Sequence, residues 1–123
     1  MNSPRTRRAA VARGVAGEDL VARALRDGGW LVRDRNCRCG GGELDLVAER
    51  DGEIRFVEVK ARGDFGTAAQ SLRPRQAGRI VRAAGAFIQS RPALSALDQR
   101  FDVILVVPWK LPVHLGDAWR PEL

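Results

Sequence analysis

Two alternating or β-branched stretches, residues 43–50 and 53–60, flank the dipeptide Asp51-Gly52. Asp-Gly is among the strongest short signals for a two-residue hairpin turn, because both central positions need positive φ. With these two residues at the turn, facing positions have numbers that sum to 103, so Asp45 stands opposite Glu58 and Glu43 opposite Lys60. Side chains alternate along a strand. Asp45, Glu58 and Lys60 therefore share a face with Val47, Ile54 and Phe56, while Leu44, Leu46, Val57 and Val59 occupy the other. A hairpin that is apolar on both sides near its turn must lie inside a layered domain.

The flanking sequence supplies the layers. From about Arg7 to Asp27, Ala16, Leu20 and Ala24 with Val21 and Leu25 recur at helical spacing, and Gly28-Gly29 closes the helix. Trp30-Leu31-Val32 reads as a short strand, followed by a loop containing Cys37, Cys39 and Gly40-Gly41-Gly42. Pro74 opens a second helix that runs to about Gln89, with Ala77, Ile80, Val81, Ala84, Phe87 and Ile88 on its apolar side. Residues 101–107 form a nearly continuous apolar run stopped by Pro108, as in a strand buried on both faces, and residues 113–119 supply an edge strand. The order is helix, three strands, helix, then one or two strands, an α/β layered fold. A chain of 123 residues suits a single domain, with residues 1–6 as a flexible basic N-terminus.

Composition removes several function classes. Hydrophobic residues make up 45% and charged residues 29%, a globular balance. No stretch approaches the ~18 apolar residues of a membrane span, and the N-terminus lacks the apolar segment of a secretory signal, so a cytoplasmic protein without a membrane partner is expected. Two cysteines are too few for a disulfide framework, and with His114 far along the chain they are too few for zinc. The net charge of +6 is unevenly spread: residues 1–13 carry +4, residues 14–60 carry −2 and residues 61–123 carry +4. An acidic centre between basic flanks suits a metal site bordered by phosphate-contacting surface; solvated helix faces give the same tally.

The opposed carboxylates decide between these. Directly facing Asp45 and Glu58 would hold their Cβ atoms ~5 Å apart and repel. A divalent cation such as Mg²⁺, which takes oxygen ligands and commonly uses one or two carboxylates plus waters, removes that repulsion. The alternative is an ordinary exposed strand pair in which Lys60 meets Glu43. Lysine usage weighs against it: only Lys60 and Lys110 among 21 basic residues are Lys. An Arg cannot transfer protons at ordinary pH, whereas a Lys beside a reacting water can orient it or help deprotonate it.

An Asp on one strand followed by Glu-x-Lys on the next resembles the signature of the PD-(D/E)xK restriction-endonuclease-like superfamily. Gly42-Glu43-Leu44-Asp45-Leu46-Val47-Ala48 and Phe56-Val57-Glu58-Val59-Lys60-Ala61-Arg62 resemble the blocks of the YraN-like family of predicted endonucleases, as do Gly17-Glu18, Arg100-Phe101-Asp102-Val103 and His114-Leu115-Gly116-Asp117-Ala118-Trp119. The likeness spans nearly the whole chain. It departs from the superfamily in having Leu44 where a Pro precedes the aspartate, and from the family in Arg75-Gln76, where Lys-Gln is more frequent.

The resemblance implies a restriction-endonuclease-like core, a central mixed β-sheet flanked by helices similar to that of archaeal Holliday-junction resolvases. It implies Asp45 and Glu58 as ligands of Mg²⁺ or Mn²⁺ with the Val59 carbonyl, Lys60 as the catalytic lysine, and a homodimer. Glu18, bordering the buried stripe of the first helix, is either a further member of the acidic cluster or a surface ion-pair partner, and Glu43 could join through Lys60 or the cation. Asp102, at the head of the buried strand, is expected to be structural, either capping or pairing with Arg100. Arg75, Arg79 and Arg82 fall on one side of the second helix and, with Gln76 and Arg62, form the expected phosphate-contacting surface. The resulting expectation is a metal-dependent nuclease acting on nucleic acid, DNA and branched forms in particular. The alternative is a catalytically silent nucleic-acid-binding or protein-interaction module with the same fold.

Overall fold

A computed structural model of the chain describes residues 4–61, 74–106 and 113–119, with side chains over 16–61 and 77–106. Helix α1 (Pro4–Asp27) leads into strands β1 (Leu31–Cys39), β2 (Gly42–Arg50) and β3 (Glu53–Ala61). Helix α2 (Pro74–Gln89) and a 3₁₀ turn (Pro92–Leu94) precede β4 (Asp98–Val106) and β5 (Val113–Trp119). The five strands form one sheet in chain order, antiparallel throughout except that β3 and β4 run parallel. α2 lies in the crossover that this parallel pair requires. The result is the restriction-endonuclease-like α/β architecture: a mixed sheet with a helix on each face. No helix among the described residues is long and apolar enough to cross a membrane.

The β2–β3 turn forms as its dipeptide dictates. Asp51 and Gly52 have φ of 50° and 80°, and pairing runs from Arg50–Glu53 to Leu46–Val57, every pair summing to 103. Beyond Leu46–Val57 the ladder stops. Glu43 therefore does not face Lys60; it pairs with Arg38 on β1.

Two apolar layers enclose the sheet. Under α2, Ile80, Ala84, Phe87 and Ile88 pack on Leu44, Val47, Ile54, Phe56 and Phe101. Phe56 sits at the centre, stacked on Phe101 at 5.3 Å and edge-on to Phe87 at 6.1 Å. Under α1, Val21, Ala22 and Leu25 pack on Leu46, Ala48, Val57, Val59 and Ile104. α2 lies close enough to the β1–β2 turn that a Cβ on Gly42 would come within 2.8 Å of the Arg79 carbonyl oxygen.

Four expectations need correction. The apolar side of α1 is rotated: Val21, Ala22 and Leu25 are buried, whereas Ala16, Leu20 and Ala24 are exposed, Leu20 by 45%. The cause is Gly17, also buried, where a Cβ would lie 3.1 Å from that of Ala61. Lacking a side chain, Gly17 lets the helix backbone itself become the inward face. β1 is not a short strand and loop but runs on to Cys39, because a second tight turn at Gly40-Gly41, with φ of 56° and 77°, folds it back onto β2. β4 begins at Asp98, three residues before the apolar run, paired with β3 from Glu53 onward. Finally, Leu44 and Leu46 do not share a face, since Leu44 packs under α2 and Leu46 under α1. The same reversal occurs on β1, where Arg35 pairs with Asp19 of α1 but Cys37 and Cys39 lie against the α2 layer. Asn36, between them, has φ of 51°. One left-handed residue breaks the alternation, and β2 crosses over beside it at Asp45.

Candidate metal centre

The candidate site lies where the β2–β3 ladder ends. Past Leu46–Val57, the Val59 N–H is taken by the Asp45 carboxylate instead of a backbone carbonyl, with Oδ2 accepting at 2.9 Å. Within a strand a residue's N–H and C=O point to the same side. The Val59 carbonyl thus opens toward the same split. Asp45 and Glu58 lie near enough that each acts on the other's ionisation, and Lys60 Nζ stands 3.2 Å from Glu58 Oε1. Glu58 and Lys60 are 7% and 5% exposed. A buried ammonium therefore flanks a carboxyl pair of which Glu58 is buried and Asp45 half-buried.

The electrostatics follow from this burial. Asp45 is pushed up to about 7, first by desolvation and then by the charge of Glu58; the Val59 N–H and Lys60 oppose the shift. Burial also raises Glu58, against the pull of Lys60. Two neighbouring carboxylates disfavour each other's ionised form. Glu18 approaches from α1 and is itself raised, by burial and then by Asp45, against the opposing influence of Asn36 and Arg35.

The donor set can be tested against Mg²⁺ or Mn²⁺. Among the described residues, no three His, Cys, Asp or Glu side chains converge closely enough to hold an ion by themselves. Two carboxylates with an adjacent carbonyl nevertheless suit a hard cation that keeps several waters and takes one or two carboxylates. The mutual repulsion of Asp45 and Glu58 marks where positive charge is wanted. The residues fit the ion.

Of the remaining expected residues, Arg79 and Arg82 are exposed on α2, and their carbonyls face Gly42 and Gly40. Their helix thus flanks the β1–β2 turn. Arg75 and Gln76 lie in the first turn of α2, with side chains outside the described set, and Arg62 lies outside the described residues. Glu43 is exposed on β2. Asp102 is fully buried on β4, paired with Val57 at the middle of β3, 3.4 Å from both Arg55 and Arg100. Arg55 also stacks 4.2 Å over the Trp30 ring. With Glu53, these charged residues form one ionic cluster. Sequence reasoning missed Asn36, although Asn is one of the few residues besides Gly that adopts left-handed backbone readily, and it interrupts an otherwise strand-like run.

A model of the family described as Uncharacterised protein family UPF0102 matches residues 17–106. That span starts at Gly17-Glu18 and covers both signature strands. The chain is 45% identical over 120 residues to UPF0102 protein amb4503 of Paramagnetospirillum magneticum, covering 94% of this chain and 93% of that one. It is 44% identical to a UPF0102 protein of Parvibaculum lavamentivorans over 97% of this chain and 90% of the other, and 45% identical to one of Azorhizobium caulinodans over 96% and 90%.

Proposed function

Because the chain belongs to the UPF0102 family of YraN-like proteins, and because its split hairpin holds a half-buried and a buried carboxyl beside a lysine, we propose that it is a metal-dependent nuclease. Its substrate is nucleic acid, DNA in particular, with branched forms favoured because a surface of arginines contacts phosphates without reading bases. One observation carries the reading: Asp45 abandons its place in the ladder to cap the Val59 amide, which brings its carboxylate onto Glu58 at the foot of Lys60.

Asp45, Glu58 and the Val59 carbonyl would hold Mg²⁺ or Mn²⁺. When bound, the ion supplies Lewis-acid polarisation of a phosphate oxygen and a lowered pKa for bound water. Lys60, held by Glu58, donates hydrogen bonds at the mouth of the split, where it orients an attacking water and offsets negative charge building on the phosphoryl oxygens. Asp45 is fixed by the Val59 N–H, so its free oxygen keeps one direction. Arg79 and Arg82 would contact the sugar-phosphate backbone from α2.

The test incubates purified protein with Mg²⁺ or Mn²⁺ and a panel of duplex, flap and four-way DNA and single-stranded RNA, beside Asp45→Asn and Lys60→Ala. Metal-dependent cleavage abolished by both substitutions is expected. Cleavage indifferent to either substitution removes the site assignment. Nucleic-acid binding that falls steeply with salt, with no divalent-ion binding by calorimetry, assigns the chain to the silent binding module instead.

A further inference from the structure

We propose that Cys37 and Cys39 form a site for one Cu(I) ion, held as a bis-thiolate between β1 and α2. The site is separate from the carboxylates of the nuclease reading and does not depend on them. The two cysteines stand where the β1–β2 ladder is unbroken, Cys37 facing Leu44 and Cys39 facing Gly42. Both side chains therefore leave the same face of β1, and both are half-buried against the apolar layer under α2. Their Sγ atoms lie 3.7 Å apart, and the Cys39 thiol donates to the Ala83 carbonyl of α2 at 3.2 Å. A thiol has one proton, so Cys37 is the donor between the two sulfurs.

Strand spacing decides between a sulfur–sulfur bond and a bridging ion. Same-face neighbours on an extended strand have Cα atoms ~6.6 Å apart, near the upper limit for a disulfide, whose Cβ atoms must also approach to ~3.8 Å. An ion needs no such approach. Two metal–thiolate bonds of ~2.3 Å opening at ~110–120° separate the sulfurs by ~3.8–4.0 Å, close to the distance they already keep. The thiol chemistry agrees: burial, then Cys39, pushes the Cys37 thiol up to about 11. A thiol that keeps its proton is a poor nucleophile toward another sulfur, whereas a thiophilic cation displaces the proton. Donor number then selects the ion. Among the described residues no third His, Cys, Asp or Glu completes the pair, so the four donors of a closed zinc site are lacking. Mg²⁺ and Mn²⁺ prefer oxygen, while Cu(I) takes soft sulfur and is satisfied by two such donors. Binding breaks two S–H bonds, forms two Cu–S bonds and passes both protons to solvent; copper and sulfur keep their oxidation states.

The test titrates the reduced full chain, without oxygen, against Cu(I) held by bicinchoninate, whose colour fades as copper leaves it. One ion per chain is expected, with a thiolate-to-copper absorption band in the ultraviolet and no competition from excess Mg²⁺. Bound copper should protect both cysteines from iodoacetamide, read by mass spectrometry. Cys37→Ser and Cys39→Ser should each weaken binding by at least about a hundredfold, since losing a ligand costs more than losing a group that orients one. Copper that stays on bicinchoninate, one ion per two chains, protection of a single cysteine, or wild-type affinity in either Ser variant overturns the site. The protection assay uses the wild-type chain, so it decides the matter even where a Ser variant fails to fold. None of these outcomes bears on the carboxylate centre.

Discussion

Substituting Asp45 by Asn should make the metal-free protein more stable at alkaline pH, although it removes the centre. The folded Asp45 carboxyl titrates at about 7, against an ordinary 3.8. Between those values the folded chain binds a proton that the unfolded chain releases. The stability contributed by that proton is therefore full below the ordinary value and is lost as pH rises through the folded one. At about 1.4 kcal/mol per pH unit, ionising Asp45 within the fold costs about 4 kcal/mol at pH 8. The variant's amide carries no such charge and can still accept the Val59 N–H through its oxygen. At roughly 3 °C per kcal/mol for a domain of this size, the variant should melt about 10 °C above wild type in EDTA at pH 8. The gap should narrow steadily toward pH 4, where wild-type Asp45 is protonated in the fold. Mn²⁺ at pH 8 should raise the wild-type melting temperature and leave the variant unmoved, an effect that fades below about pH 7 as protons displace the ion. Differential scanning calorimetry across this pH series is the assay. Wild type that in EDTA gains stability from pH 5 to 8, or melts with the variant at pH 8, refutes the reasoning from buried like charges.

Replacing Arg79 and Arg82 together by Ala should weaken DNA binding alike for every sequence and reduce the slope of log K against log salt by about 2, as counted by fluorescence anisotropy in a salt series. Asp102→Ala would leave the Arg55 and Arg100 guanidinium groups without their fully buried partner. Because both guanidiniums keep Glu53, the loss is about 1–3 kcal/mol in urea unfolding, and Mn²⁺ affinity in the surviving folded fraction should be unchanged. Gly42→Ala places a Cβ 2.8 Å from the Arg79 carbonyl oxygen. It should destabilise by about 1–3 kcal/mol in the same assay, because backbone on both sides leaves little room to yield.

Much of this molecule is legible from local rules. The Asp51-Gly52 turn requires positive φ at both residues, and period-two alternation then leaves one register, so the pairing from Leu46–Val57 to Arg50–Glu53 could be written down in advance. The α2 span, from Pro74 to Gln89, follows equally from a helix-starting proline and a 3.6-residue repeat. The inward side of α1 was hidden because its key residue, Gly17, scores as neither apolar nor polar; what it offers is an absent side chain, useful only once Ala61 lies opposite. β1 was hidden because a strand of charged and small residues takes its stability from the backbone ladder with β2.

Local chemistry along the chain settled which residue types stand at the centre and that Asp45 and Glu58 lie on neighbouring strands at one end of a hairpin, since turn preference and alternation act over a few residues. Packing between layers settled the rest: that the ladder ends there, that the Asp45 carboxylate turns onto the Val59 amide, and that Glu18 approaches from α1. Those outcomes depend on how closely α1 can approach the sheet and on a left-handed Asn36 on a third strand. They belong to contacts between elements distant along the chain, which no short-range pattern encodes.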